Sequence, residues 1–112
     1  MTLRELPREL AALVQRHLVS MDHVAVILAM REAPVRWFDS AAIAVCCRVE
    51  RRVANRVLAD LLAADLIVHA GSSYQFHATP ASVDALDQLL LLYRKQPATL
   101  VRAVNGRLKG SV

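Results

Sequence analysis

The chain is poor in the parts from which the common catalytic and metal-holding sites are built. Its three glycines stand singly, so no glycine-rich loop is available to cradle a phosphate. Cys46, Cys47, His17, His23, His69 and His77 show no CxxC or HxxxH spacing, which argues against a zinc site. Neighbouring cysteines rarely bond to each other, because the required geometry strains the peptide between them. Lying in the apolar run AAIAVCC, both thiols are expected to be buried and structural. The ten carboxylates are scattered between Glu5 and Asp87 with no pairing across a cleft, and the four histidines accompany no nucleophile. Neither an enzyme nor a cofactor or metal is therefore expected. The longest uninterrupted apolar run, Val24 to Met30, is far too short to cross a bilayer. The opening MTLRELPREL carries acids and lacks the apolar centre of a signal peptide, so the expectation is a cytoplasmic protein with no membrane partner.

Arginine and aliphatic residues fill the space these absences leave. The 112 residues suffice for one domain, expected over 1–112, with its own core. Hydrophobic residues make up 55% and charged residues 21%, an apolar surplus that suggests burial against a partner as well as inside the monomer. The formal charge is +4, with twelve arginines against two lysines. A basic balance favours polyanionic partners, and the distribution sharpens the point. Residues 48–56 hold four arginines and one acid, and after Asp87 the chain has five basic residues and no acid.

The stretch RVERRVANRVLADLLAADLI, Arg48 to Ile67, organises the rest. Val49, Val53, Val57, Leu58, Leu61 and Leu62 recur at helical spacing and form one apolar stripe. Arg51, Arg52, Asn55 and Arg56 fall off that stripe, in the first half of a helix expected from about Glu50 to Ala64. Arginine forks two donors onto guanine or a phosphate, and asparagine pairs bidentately with adenine. Such a helix can rest on a core while its front enters a DNA groove; the plainer reading is a solvated charged face.

Taken in order, Leu6, Leu10, Leu13, Val14 and Leu18 trace an amphipathic first helix, with Pro7 in its first turn. Ser20 precedes a second helix that ends near Ala33 and Pro34. Val35 to Phe38 reads as a short strand, and Asp39 or Ser40 caps a brief helix, Ala41 to Cys47. Leu66 to Ala70 and Tyr74 to His77 read as a hairpin around Gly71-Ser72-Ser73. Thr79-Pro80 opens a helix to about Lys95, and Pro97 restarts a last one. No repeat, low-complexity tract or linker interrupts this order.

That order resembles the winged helix-turn-helix domain of bacterial transcription regulators, loosely of the MarR-like kind. The likeness covers about Ser20 to His77: the strand Arg36-Trp37-Phe38, the helix Ser40 to Cys47, the basic helix, and LADLLAADLIV leading into the wing. It implies a mostly α fold with a small β-hairpin wing. An N-terminal helix would lie in 1–19, the winged-helix core in 20–78, and C-terminal helices in 79–112. It further implies that Arg51, Arg52, Asn55 and Arg56 face the major groove and that Ser72 and Ser73 form the wing tip. Arg52, Asn55 and Arg56 would then read base edges, while Arg51 and Arg36 hold phosphates. The sequence departs from the family pattern at Asp65 and in the turn Cys47-Arg48-Val49, where glycine is usual, and its wing tip carries no Lys or Arg.

Leu89, Leu90, Leu91, Leu92 and Tyr93 are consecutive and so wrap most of a helix circumference. A twofold dimer through the terminal helices, with Leu10, Leu89, Leu92, Tyr93, Leu100 and Val104 at its interface, would bury the excess. The function expected is a dimeric transcription regulator bound to double-stranded DNA, its half-sites about one helical turn apart. The alternative is a winged-helix module that docks a protein partner, such as a sigma factor or signalling protein, without binding DNA.

Overall fold

The structure, a computed structural model, describes residues 6–110, with side chains as far as Asn105. The described elements are α1 (Arg8–Arg16), α2 (Met21–Glu32), β1 (Trp37–Asp39), α3 (Ser40–Cys47), α4 (Arg51–Ala63), β2 (Ile67–Ala70), β3 (Ser73–Phe76), α5 (Pro80–Lys95) and α6 (Pro97–Gly110). They fall into two compact units, one formed by Asp22–Thr79 and the other by Met1–Met21 with Pro80–Val112. No described helix is long and apolar enough to cross a membrane.

In the Asp22–Thr79 unit, β1, β3 and β2 form an antiparallel sheet in that spatial order. Helices inserted between β1 and the β2–β3 hairpin give the winged helix-turn-helix arrangement: mostly α, with a small wing and extra helices at both ends of the chain. The first strand begins at Trp37 and not at Val35, because Arg36 N–H turns back to the Ala33 carbonyl at 3.0 Å and holds residues 33–35 in a turn. The hairpin loop is tighter than the composition Gly71-Ser72-Ser73 suggested. Ser73 is the first residue of β3, paired with Ala70 and Asp39, which leaves a two-residue loop, Gly71-Ser72. Gly71 takes φ 60, the positive value such a loop asks of its first residue.

Asp39 starts α3: its Oδ1 accepts the Ala42 N–H at 2.7 Å, which satisfies one of the free donors of the first turn. Helices α3 and α4 end by the same device. Val49 N–H returns to the Ala44 carbonyl at 3.1 Å, and Leu66 N–H returns to the Leu61 carbonyl at 3.2 Å. Each return needs a left-handed residue just before it, and here those residues are Arg48 (φ 56) and Asp65 (φ 59). Glycine adopts that conformation without a Cβ penalty, so Arg48 and Asp65 carry some strain.

Helix α2 is apolar around its circumference and buries Val24, Val26, Ile27, Leu28 and Met30. Phe38, Ile43, Val57, Leu58, Leu61, Leu66 and Ile67 complete the interior of this unit. In the other unit α1, α5 and α6 pack against one another in pairs. Its interior is Leu10, Leu13 and Val14 from α1, Ala85, Leu86 and Leu89 from α5, and Leu100, Ala103 and Val104 from α6.

Candidate nucleic-acid interface

At 3.6 residues per turn each residue advances the α4 face by about 100°. Ala54, Val57, Leu58 and Leu61 then share an arc of roughly 100°, and all four are buried. Arg51, Arg52, Asn55 and Arg56 share a different arc of roughly 140°, and all four are exposed. The same face continues as Ala59 and Ala63, which are exposed but small and uncharged, so the polar patch is confined to the first two turns.

The one acid within α4 is engaged elsewhere. Asp60 lies four residues beyond Arg56, a spacing at which carboxylate and guanidinium often pair. Its Oδ2 instead meets His23 Nε2 on α2 at 2.8 Å. His23 is the one buried polar side chain identified among the described residues, so this bond both satisfies the imidazole and ties α4 to α2. Arg52, Asn55 and Arg56 make no side-chain hydrogen bond or ion pair among the described residues. Arg51 is partly held, its Nε donating to Ser40 Oγ at 3.3 Å at the start of α3.

The other expected contact residues are dispersed. Arg36 is exposed in the segment before β1, its guanidinium 4.6 Å from the centre of the Phe38 ring, a cation–π contact that fixes its direction. Ser72 is exposed at the hairpin tip, while Ser73 is only partly exposed, within the sheet. The tip itself therefore offers one hydroxyl and no charge.

The cysteines differ from expectation: Cys46 is exposed and Cys47 half-buried, and both are free. Helix α3 turns its last residues outward, with Val45 81% exposed. Cys47 Sγ donates to the Ala25 carbonyl at 3.9 Å. Burial first, then the adjacent Cys46 thiol and Asp22, push the Cys47 thiol up to about 11. It is therefore protonated at neutral pH and a poor nucleophile.

Four of the six side chains expected at a dimer interface are occupied within the single chain. Leu10, Leu89, Leu100 and Val104 are each at most 1% exposed, because α1, α5 and α6 pack on one another through them. Leu92 is half-buried, and Tyr93 is exposed together with Leu91 and Val101. The Asp60–His23 bond escaped the sequence reading because its partners lie 37 residues apart. Its only local sign was a histidine at the start of an otherwise apolar helix.

No family model matches this chain, and no curated protein is similar to it at a significant level.

Proposed function

We propose that this chain is a DNA-binding transcription regulator, related in kind to the MarR-like winged-helix proteins, that inserts the first half of α4 into a major groove. The observation that carries the reading is the exposed set Arg51, Arg52, Asn55 and Arg56 on one face of α4, with Asp60 drawn away to His23. Arg52, Asn55 and Arg56, without partners among the described residues, are the base readers. Arg51 and Arg36, each held by a neighbour, are the phosphate contacts, and Ser72 adds a weak one. The protein acts as a homodimer, and Leu91, Leu92, Tyr93 and Val101 supply the contact between copies, supported by the apolar surface they leave on α5 and α6.

The deciding experiment measures binding to a pool of genomic fragments at moderate salt. Arg56→Ala is expected to cost ~1–3 kcal/mol at the selected site and to relax specificity there. The combined change Arg51→Ala, Arg52→Ala, Arg56→Ala is expected to abolish retention. Undiminished binding by that triple variant would overturn the reading. In sedimentation, Leu91→Asp with Tyr93→Asp is expected to convert a dimer into monomers.

A second reading, a module that docks a protein, is favoured by the uncharged wing tip and by Val35 and Val45, at 83% and 81% exposure. Salt separates the two. Retention on immobilised DNA that falls steeply with salt supports phosphate contacts, whereas indifference to DNA supports the docking module.

A further inference from the structure

Arg51, Arg52, Asn55 and Arg56 are the exposed residues in the first two turns of α4, and Ser40 already holds Arg51. Three side chains remain to meet a groove floor. About the helix axis Arg52 lies between the other two, with Asn55 about 60° to one side and Arg56 about 40° to the other. Along the axis the three span about 6 Å, a little under two base-pair steps of about 3.4 Å. All three therefore address one short stretch of duplex, about four base pairs once the length of an arginine is added.

Their donors and acceptors decide which bases they hold there. A guanidinium offers only donors, and the major-groove edge of guanine offers two acceptors, N7 and O6. The asparagine amide offers both a donor and an acceptor, and adenine presents the complement, N7 and the N6 amino group. Both matches use a purine N7. Cytosine presents an amino donor, best met by a carboxylate. Asp60, the one acid within α4, is bonded to His23 at 2.8 Å, and Glu50 stands before the helix as its N-cap. The hairpin does not widen this code. A narrow minor groove is entered by basic side chains, and the tip, Gly71-Ser72, has none. Residues 67–76 hold no Lys or Arg, and the His69 ring lies against Tyr74 with centroids 6.3 Å apart.

We propose that each copy of the chain selects a site defined by purine N7 edges. Arg52 and Arg56 each meet a G·C pair and Asn55 meets an A·T pair, all within about four consecutive base pairs. The inference rests on α4 being the DNA-binding helix and adds which bases it takes.

Selection from a random duplex pool, followed by 7-deaza substitution within the selected site, tests it. 7-Deazaguanine and 7-deazaadenine keep Watson–Crick pairing and backbone charge while removing the N7 acceptor. Substitution at any of the three purines is expected to weaken binding about 5- to 100-fold, and substitution at flanking purines to leave it unchanged. Each penalty should vanish with its reader. In Asn55→Ala the 7-deazaadenine no longer matters while both 7-deazaguanines still do, and Arg52→Ala and Arg56→Ala each silence one 7-deazaguanine. The three side chains are exposed, so these variants keep the parent's thermal melt. A selected site insensitive to 7-deaza purines, or an unchanged profile in Asn55→Ala, overturns the code and leaves DNA binding by α4 standing. A parent chain that selects nothing from the pool at moderate salt overturns both.

Discussion

Helix α4 and the second half of α5 dispose their apolar side chains from opposite starting points. In α4, Arg51, Arg52, Asn55 and Arg56 interrupt the apolar residues, and every one of those polar groups points away from the buried arc. In α5 five apolar residues follow one another from Leu89 to Tyr93 with no polar marker among them. Packing against α1 and α6 nevertheless separates them sharply: Leu89 is fully covered, whereas Leu91 is 56% exposed. A helix with charge on one side has its orientation set by water before it packs, because burying an unpaired guanidinium costs several kcal/mol. A helix that is apolar all round takes its orientation from whichever neighbours fill its grooves.

The contrast predicts how the two helices answer truncation. Leu89→Ala should cost ~2–5 kcal/mol in urea unfolding, as Leu58→Ala should in α4, since each opens a cavity in a closed interior. Leu91→Ala, two residues from Leu89, should cost less than about 1 kcal/mol in the monomer. Equal losses at Leu89 and Leu91 would mean that α5 is not oriented as described.

A smaller effect separates the two partners open to the Asp60 carboxylate. Asp60→Ala removes a hydrogen bond to a buried imidazole and should cost ~1–3 kcal/mol, while Arg56→Ala, on the neighbouring turn, should stay within about 0.5 kcal/mol. If thermal melts show the reverse, Asp60 serves Arg56 and the basic face is not free.

The smallest effect is a gain. Arg48→Gly and Asp65→Gly should each stabilise by about 0.5–1 kcal/mol, because both residues hold positive φ at helix ends. Destabilisation by either would show that its side chain contributes more than its backbone strain costs.

These cases also mark how far the sequence could be read. The buried stripe and polar front of α4 were legible because both follow one helical period at different phases, and the cap at Asp39 and the start of α5 at Pro80 were legible from local chemistry. The inward and outward members of the Leu89–Tyr93 run were not, since their sorting depends on α1 and α6. Nor was the His23–Asp60 bond, which only the fold brings together. Cys46 was misread as buried because an apolar run implies burial only where a helix is covered on every side, and the end of α3 is not. The two-residue hairpin loop was missed by one residue, since serine suits a turn and a strand end alike.

The position of β1 has a kinetic consequence. β2 and β3 meet across a loop of two residues, but Trp37 reaches Gln75 only after the chain has closed around both α3 and α4. Closing so long a loop costs more entropy than forming the hairpin, so the first strand should dock late, as a clasp over helices already in place. Phe38→Ala should then accelerate opening and hardly retard folding in stopped-flow measurements, and a slowed folding limb would assign the clasp to the nucleus instead.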